Sequence, residues 1–385
     1  MRFRGRKRLV MSYLLSACAF LWRRLMFRTT FIAVTGSVGK TTATDALGAI
    51  LLAHVPTNWT PGGSNSREHL ARNVLRTRLR HGFAVIEVGT RAPGALYRAS
   101  WMIAPDIVVM LRVLNVHSDS FPTIEEMAAE KEQLLRRLGK RGRAFLNADD
   151  PLVLAMGTRC RAQVRTFGRA SESTLHGTNI SSRWPQRLRF LAHHGLESQW
   201  VQTNFVGEHL LTSSLAALAV AVDCGVPLDQ AAGVFLDIQP VAGRMEPRVL
   251  ENGVTVLCDD FNPTLPTLEA ALDVLQDAEV QRRVVVIGDI LDTGLTVRPR
   301  LREIGRRVAR AADIAVFIGD QSRTSAKAAV QAGVAPESAL GFRTLAEAAA
   351  FLNTELRARD LMLVHGWQGR HIERVFLAQI GTLSC

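Results

Sequence analysis

The stretch TGSVGKTT, residues 35–42, combines glycine, lysine and threonine in the order of a phosphate-binding loop. Gly36 and Gly39 allow a tight backbone path that turns N–H groups, and the start of the next helix, toward phosphate oxygens. Lys40 is then placed to reach the β- and γ-phosphates of a nucleotide, and Thr41 to coordinate Mg²⁺. The stretch predicts a nucleotide site, although GK[ST] by itself is specific for no single reaction. The residues expected to line this site are Gly36, Ser37, Val38, Gly39, Lys40, Thr41 and Thr42.

Three further side chains are informative only as a set. Glu87 lies in an otherwise apolar strand, FAVIEVG, where burying a carboxylate is costly unless a cation or hydrogen bonds satisfy it. His117 follows the next strand, in LNVHSDSF, and Lys131 lies in the helical stretch TIEEMAAEKEQLLRRL. Taken singly, they are more often an edge carboxylate, an ordinary histidine and a solvated lysine. Glu87, near a strand end in the sheet of the loop, suits a Mg²⁺ ligand, whereas His117 and Lys131 gain meaning only as members of the set.

The elements that must position these residues alternate between strands and helices, which indicates an α/β fold with a mostly parallel sheet. The apolar runs that predict strands in the first part of the chain are 31–35, 83–89, 106–111, 143–147 and 164–168, with a hairpin over 186–192 and 198–205. The segments with helical periodicity in this part are 41–53, 123–138 and 209–223.

A second series of elements begins near residue 245 and predicts a Rossmann-like domain. Its expected strands are 254–260, 283–289, 313–320 and 361–366, and its expected helices are 266–277, 298–311, 323–332, 345–357 and 370–380. We therefore divide the chain into a basic, apolar N-terminal helix (1–30), a central P-loop ATPase domain (31–240) and a C-terminal domain (241–385), with PVAGR, 240–244, at the junction.

The composition is that of a globular protein, with 47% hydrophobic and 21% charged residues over 385 positions. The five cysteines are scattered without a CxxC pair, which argues against a disulfide framework or a zinc site and favours a reducing compartment. The net charge is +12, and residues 1–28 alone hold eight basic residues and no acidic one. Because most of the excess charge lies in one apolar-interleaved segment, we expect no nucleic-acid partner.

The N-terminal segment allows three interpretations. Its apolar run, LVMSYLLSACAFLW, lies between arginine clusters and, at 14 residues (9–22), is shorter than the roughly 20 that a spanning helix needs. A helix packed on the protein body, a membrane-surface anchor and a cleaved signal peptide each fit this pattern. Against export, a core strand follows at once and a phosphate loop needs cytosolic nucleotide. Residues 1–28 are thus a candidate for peripheral membrane contact.

In order along the chain, the segments TGSVGKTT, VIEVG, NVHSDSF, EKEQL, LNADD, GRME and DDFN resemble those of the Mur ligases, from about residue 31 to the C-terminus. The most similar branch adds D-alanyl-D-alanine to UDP-N-acetylmuramoyl-tripeptide. The loop of this family reads T-G-[ST]-x-G-K-[ST]-[ST]. It lacks the first glycine of a strict P-loop, in agreement with Val34 at that position.

The resemblance implies ATP and two Mg²⁺ ions. It implies that Thr41 and Glu87 hold one ion, and that His117 and a carbamylated Lys131 hold the other. Reaction with CO₂ converts an amine, which is no ligand while protonated, into an anionic oxygen donor. By the same resemblance, the residues expected at the nucleotide are Asn147, Asp149, Arg244 and Asp260, and those expected at the substrate are Asn65 and Asn262.

The implied reaction transfers the γ-phosphate of ATP to a substrate carboxylate. An amine then attacks the acyl phosphate and leaves an amide, ADP and phosphate. The residues expected to take part are Lys40, His117, Lys131 and Arg244, mainly through positioning and charge neutralisation. The partners would be a small-molecule or peptide carboxylate acceptor and an amine or amino acid.

Four departures from the family pattern favour a changed acceptor. Only 30 residues precede the first strand, so we expect the family's N-terminal UDP-binding domain to be absent. Leu210 and Ser213 stand where the family has asparagines, the second of which contacts adenine. The acceptor-lining G-N-x-N-N reads GGSNS, which keeps Asn65, and K-G-S near the end reads HGW, 365–367.

We therefore expect an ATP-dependent amide ligase with a non-standard acceptor, such as a natural-product intermediate, an amino-acid polymer or a lipid-linked compound. Two alternatives stay open: the wall ligase itself, with the uridine domain supplied by a partner chain, and a P-loop ATPase switch without ligation. A metal pair at His117 and Lys131 has little use in a simple switch. The expected location is the cytoplasm, with association at the inner face of the membrane as an alternative.

Overall fold

The computed structural model describes residues 2–61, 66–90, 92–116, 120–261, 263–288 and 297–366, without the side chains of residues 2–10, 297 and 298. The chain folds into two compact units. The first comprises Met1–Ile180, Arg189–Asn204 and Leu210–Ile238, and the second comprises Ser181–Leu188, Phe205–His209 and Gln239–Cys385. Two short segments that interrupt the first unit along the chain therefore belong to the second.

Nine strands of the described chain form the sheet of the first unit. They are β1 (Thr30–Thr35), β2 (Thr57–Trp59), β3 (Phe83–Glu87), β4 (Ile107–Met110), β5 (Arg143–Asn147), β6 (Gln163–Gly168), β7 (Leu175–Ser181), β8 (Arg189–His194) and β9 (Glu197–Gln202). Their order is β2-β3-β1-β4-β5-β6-β7-β8-β9, with β1 parallel to both β3 and β4. Because parallel strands end at the same edge, the segments after β1, β3, β4 and β5 lie together.

Eight helices of the first unit are described. They are α1 (Arg2–Leu25), α2 (Lys40–Leu52), α3 (Arg67–Arg76), α4 (Ala95–Ile103), α5 (Ile124–Arg136), α6 (Pro151–Met156), α7 (Leu211–Asp223) and α8 (Leu228–Val234). Helix α5 begins after Thr123, whose side chain accepts a hydrogen bond from the Glu126 N–H, a favourable N-cap. Fully buried Phe31 and Ile86 of the sheet share one core cluster with Leu134 of α5. Strands and helices therefore enclose an apolar interior.

The second unit contains a six-stranded sheet within the described residues. Its elements are β10 (Glu246–Val249), β11 (Thr255–Asp259), α9 (Leu265–Asp277), β12 (Arg283–Ile287), α10 (Val297–Ala311), β13 (Ile314–Ile318), α11 (Ser322–Gln331), β14 (Ala339–Phe342), α12 (Leu345–Glu355) and β15 (Leu361–His365). The strand order is β10-β11-β15-β12-β13-β14, and β10 alone pairs antiparallel. Two apolar clusters contain residues from alternate positions of these strands.

The predicted α/β class with mostly parallel sheets is confirmed. Five strands predicted for the first unit correspond to β1, β3, β4, β5 and β6, and the predicted hairpin corresponds to β8 and β9 with shifted ends. The sequence interpretation missed β2, β7, α3, α4, α6 and α8 in the first unit, and β10 and β14 in the second. The helix predicted over 370–380 lies outside the described residues.

Candidate active site

The loop between β1 and α2 depends on glycine at two close contacts. A Cβ atom at Gly36 would lie 2.8 Å from Cβ of Leu111, which is closer than side-chain carbons approach. Gly39 has a φ of +80° at the start of α2, and a Cβ there would lie 2.5 Å from Oγ of Ser213. Both glycines are therefore required for the backbone to pass this close to its neighbours.

The same loop is fastened to the segment that follows β4. The Ser37 N–H donates to the Arg112 carbonyl at 2.6 Å, and Ser37 Oγ exchanges hydrogen bonds with the backbone of Leu114 at 2.9 and 3.1 Å. From α7, Ser213 Oγ donates to the Gly39 carbonyl at 3.0 Å. Ser213, which the sequence suggested as a lost adenine contact, thus holds the phosphate loop itself.

The predicted loop residues lie together between β1 and the first turn of α2. Lys40 Nζ donates to the carbonyls of Gly36 and Ser37 at 2.9 and 3.1 Å, so its ammonium lies over the loop. Val38 is half-buried and Thr42 is buried in the first turn of α2. The positive end of α2 and one lysine therefore converge on this turn.

The strand carboxylate of β3 reaches the loop directly. Thr41 Oγ1 donates to Glu87 Oε2 at 2.8 Å, and both side chains are buried. Glu87 is brought there by the parallel pairing of Val34 with Glu87 in β1 and β3. A hydroxyl and a carboxylate side by side at a phosphate loop are oxygen ligands of the kind that Mg²⁺ takes.

Lys131 lies buried in α5 rather than in solvent. Its burial, and next the positive charge of Lys40, hold the pKa of Lys131 well below its ordinary value, while Glu130 acts in the opposite direction. Glu130 itself accepts hydrogen bonds from the backbone N–H groups of Gly94 and Leu96, both at 2.8 Å, at the start of α4. The environment of Lys131 therefore favours a neutral amine, the form that reacts with CO₂.

The end of β5 and the segment after it supply two predicted residues. Asn147 is fully buried, and its Oδ1 accepts from the Asp149 N–H at 3.1 Å. Its Nδ2 donates to no partner within the described residues. Asp149 Oδ1 in turn accepts from the Arg169 N–H at 2.8 Å. A buried amide group that still needs an acceptor is a candidate ligand contact.

Asp150 was missed by the sequence interpretation. Its Oδ1 accepts from the N–H groups of Leu152 and Val153 and so caps α6. Its Oδ2 accepts from the Val113 N–H at 2.8 Å and ties the end of β5 to the segment after β4. The Asp-Pro pair in LNADDP could have predicted the capping role, because Asp before Pro favours a helix start.

In the second unit, Arg244 and Asp260 lie in neighbouring loops. The Phe261 N–H donates to the Gly243 carbonyl at 3.0 Å, and the guanidinium of Arg244 lies 4.6 Å from the centre of the Phe261 ring. Asp260 is buried at the end of β11. The structure therefore brings together the two residues of this unit that the sequence assigned to the nucleotide.

A histidine–carboxylate pair lies at the ends of β11 and β15. His365 is fully buried and its Nδ1 lies 2.9 Å from Asp259 Oδ2. An ionised carboxylate can only accept, so Nδ1 donates; with the proton on Nδ1, the neutral tautomer of histidine has an acceptor at Nε2. This Nε2 is buried and has no partner in the described part of the chain.

Three predicted site residues, Asn65, His117 and Asn262, lie outside the described residues. Among the residues that are described, no three His, Cys, Asp or Glu side chains cluster as a metal site. The side-chain oxygens of the neighbouring Thr41 and Glu87 are of the kind that Mg²⁺ takes.

Two family descriptions match the sequence. "Mur ligase middle domain" matches residues 34–221, and "Mur ligase, glutamate ligase domain" matches residues 243–367.

Known relatives extend these matches over most of the chain. The UDP-N-acetylmuramoyl-tripeptide–D-alanyl-D-alanine ligase of Mycobacterium tuberculosis (strain H37Rv) is 29% identical over 378 residues, covering 92% of this chain and 74% of that protein. A crystal structure of MurF from Acinetobacter baumannii aligns with a TM-score of 0.86 and 25% identity over 96% of this chain and 80% of that one. MurF from Thermotoga maritima in complex with ADP, at 20% identity and a TM-score of 0.82, covers 94% and 82% and shows the same fold.

A phosphate loop at the carboxyl ends of parallel strands, followed by a Rossmann-like unit, defines a nucleotide-binding protein of the P-loop type. Both of its units match domains of one family. The chain belongs to the Mur ligase family, and its fold is similar to that of MurF.

Proposed function

We propose that the chain forms an amide bond between a carboxylate acceptor and an amine, with ATP converted to ADP and phosphate through an acyl phosphate. Members of the family to which it belongs are ATP-dependent amide ligases. The observation that carries the proposal is the buried hydrogen bond between Thr41 and Glu87 at the phosphate loop. It sets two hard oxygen ligands where the β- and γ-phosphates would lie.

The first unit would bind and activate the phosphates. Residues 36–42 would cradle them with backbone N–H groups, and Lys40 would turn from the loop carbonyls to the phosphate oxygens. Thr41 and Glu87 would hold one Mg²⁺, which when bound neutralises the charge that develops during phosphoryl transfer. Binding to the ion would replace the present hydrogen bond between them.

Lys131, once carbamylated, would share a second Mg²⁺ with His117. Its burial and its lowered pKa support this role, because the neutral amine is nucleophilic toward CO₂. The ¹³C NMR spectrum of protein in ¹³C-bicarbonate tests it. We expect a carbamate signal that is lost in Lys131→Met.

Nucleotide contacts are proposed on each unit separately. On the first unit they are Asn147, whose Nδ2 has no partner among the described residues, and Asp149. On the second unit they are Arg244 and Asp260. Arg244 would neutralise phosphate charge, and Asp260 would contact the ribose. Asn65 and Asn262 would contact substrate. The domain bounds at 31–240 and 241–385 are part of this proposal.

The substrates would differ from those of the wall ligases. A protonated lysine at position 365 could only donate hydrogen bonds, whereas a neutral His365 ring bonded to Asp259 through Nδ1 would be able to accept one at Nε2. The pair with Asp259 therefore suits an N–H group of the incoming amine rather than a carboxylate. The reaction would take place in the cytoplasm, where ATP is available, on a small-molecule or peptide acceptor.

The D-alanyl-D-alanine-adding reaction is the second candidate. It is favoured by the relative of that name in M. tuberculosis, whose similarity covers 92% of this chain. In this case a partner chain would complete the binding of the uridine-linked acceptor.

An assay with purified protein, ATP, Mg²⁺ and bicarbonate tests the two candidate reactions. The substrates offered are UDP-muramoyl-tripeptide and D-alanyl-D-alanine. ADP release and product mass are followed, with Lys40→Ala as control. We expect no product with this pair, and ADP release with other pairs of carboxylates and amines. A ligated tripeptide product would establish the second candidate, and no acceptor-dependent turnover with any pair would favour an ATPase switch.

A further inference from the structure

Helix α1 is fixed to the first unit along one face. The side chains of this face recur every three or four residues and are Ser12, Leu15, Ser16, Ala19, Trp22, Arg23 and Met26. Trp22 Nε1 donates to the Thr77 carbonyl at the end of α3 at 2.8 Å. Helices α3 and α4 both pack against α1. The helix is therefore part of the folded body.

A buried arginine holds the C-terminal end of α1 in place. The Arg23 guanidinium donates to the Ile103 and Ala104 carbonyls and to Asp106 Oδ2, each at 2.8 Å, and lies 4.2 Å from the centre of the Phe31 ring. Charge-assisted bonds to buried groups are among the stronger ones in proteins. The orientation of α1, and of its opposite face, is fixed by this contact.

The opposite face of α1 is apolar and open to solvent. Met11, Leu14, Cys18, Leu21 and Leu25 follow one another at intervals of three and four residues and are all exposed, Leu21 by 65% and Leu25 by 59%. Such spacing places them in one stripe along the helix. A soluble surface rarely leaves a stripe of this length uncovered, which marks it as an interaction surface.

Aromatic rings and arginines border this stripe where α1 meets α4. Arg24 donates to the Trp101 carbonyl at 3.1 Å and stacks 3.4 Å from the centre of the Phe20 ring. Arg137 stacks 4.0 Å from the centre of the Trp101 ring, and Tyr97 packs edge-on against Trp101. Exposed aromatic rings with basic neighbours are typical of the boundary between water and lipid headgroups.

The charge of residues 1–28 indicates which kind of surface could cover the stripe. Residues 1–28 contain eight basic residues and no acidic one. A second copy of the chain docked through α1 would bring two such segments together, and their repulsion opposes that contact. An anionic phospholipid surface attracts each basic residue near it and accepts the apolar stripe.

We propose that the face formed by the exposed stripe of α1 and by Tyr97 and Trp101 of α4 docks on an anionic membrane surface. No helix in the described residues is long and apolar enough to cross a bilayer, so α1 lies in the interface parallel to the membrane. The proposal is independent of the ligase reaction, and its test involves no turnover.

Vesicle binding of the full chain tests the docking. A polarity-sensitive dye is attached to Cys18, which lies in the stripe, in a chain with Cys160, Cys224 and Cys385 replaced by serine and the buried Cys258 kept. We expect the dye emission to rise and shift to the blue with vesicles of phosphatidylcholine containing about one third phosphatidylglycerol, but little with phosphatidylcholine alone. Added salt is expected to weaken the binding.

A matched pair of double variants distinguishes docking through the stripe from non-specific adsorption to vesicles. Leu21→Glu with Leu25→Glu places two acids in the stripe and should lower the affinity for anionic vesicles at least about tenfold. Leu196→Glu with Leu236→Glu adds the same charges at two other exposed leucines of the first unit and should change the affinity by less than about twofold. Circular dichroism verifies that both variants are folded.

Three results would overturn the proposal. The first is equal binding to neutral and anionic vesicles, or none to either. The second is an equal effect of the two double variants. The third is concentration-dependent dimerisation in light scattering that Leu21→Glu with Leu25→Glu abolishes, without vesicle binding, since it would assign the stripe to a second copy.

Discussion

The phosphate loop of the first unit and the carboxyl edge of the sheet in the second unit differ in how their polar groups are satisfied. At the loop, Lys40 donates to two backbone carbonyls and Thr41 donates to Glu87. At the sheet edge, His365 is bonded to Asp259 through Nδ1, while its buried Nε2 has no partner among the described residues.

This difference suggests that the two units have different roles. A loop whose groups hold one another keeps its shape before ATP arrives, which lowers the entropic cost of positioning the phosphates. A buried ring nitrogen without a partner costs free energy, which an N–H group of a substrate would offset. The phosphate loop would thus belong to the first unit, and the recognition of the particular amine to the second, which also holds the proposed nucleotide contacts Arg244 and Asp260.

The largest effect is expected for Lys40→Ala. Removing the ammonium should lower acceptor-dependent ADP release about 10³-fold, because the cation that neutralises the transferring phosphate is lost. Lys327→Ala, at an exposed position of α11, is the matched control and should keep full activity. Activity of Lys40→Ala within tenfold of the parent chain would contradict the role of the loop.

A smaller effect is expected for Glu87→Gln. The amide oxygen can still accept from Thr41, so the fold should be kept while the negative charge is lost. We expect about 10²-fold lower activity and a higher Mg²⁺ concentration for half-maximal rate. The exposed Glu172→Gln is the control. If the Mg²⁺ concentration for half-maximal rate is unchanged, Glu87 is no metal ligand. The proposed difference in role between the two units would then be contradicted.

The residues of the loop could be predicted because their chemistry is encoded within a few neighbouring positions. Gly36, Lys40 and Thr41 form one short motif, and Glu87 is recognisable as a carboxylate in an apolar strand. Asp150 could not be predicted in its role, because its partner, the Val113 N–H, is distant in sequence and meets it only through sheet pairing.

The fold was predictable to a similar extent. Strands that are buried on both faces, such as β1 and β4, form continuous apolar runs and were found. The three-residue β2 has no such run, and the apolar face of α3 is only about two turns long and lies among Arg67, Glu68, Arg72 and Arg76. Ser213 was read as a lost contact, since its bond to Gly39 depends on the packing of α7 on the loop.

His365→Asn tests the role of the buried Nε2 atom in the second unit. The asparagine amide can donate to Asp259 as Nδ1 does, but it leaves nothing at the position of Nε2. We expect the KM for the amine substrate to rise about tenfold, with the KM for ATP changed less than about twofold. His365→Gln, whose longer amide reaches the Nε2 position, is the conservative control. An equal rise of both KM values would indicate a structural role only.

The smallest effect concerns stability and pH at Lys131. In the native chain, the pKa of this lysine lies well below its ordinary value because of burial and the charge of Lys40. Below the pKa of an unfolded lysine, near 10.5, the unfolded chain binds a proton that the native state does not bind. The free energy of unfolding should therefore fall as the pH is lowered from this value toward the native pKa.

Lys131→Met removes this penalty, because methionine is of similar length and carries no charge. In buffer without Mg²⁺ and bicarbonate, we expect the free energy of unfolding at pH 8 to be higher by at least about 1 kcal/mol, with a weaker dependence on pH. Lys140→Met, at an exposed position, should change neither. Urea unfolding between pH 7 and 10 measures both quantities. A variant that is more stable yet inactive would show that the first unit keeps Lys131 for catalysis at the expense of stability, whereas a less stable variant would mean that the lysine is needed for the fold.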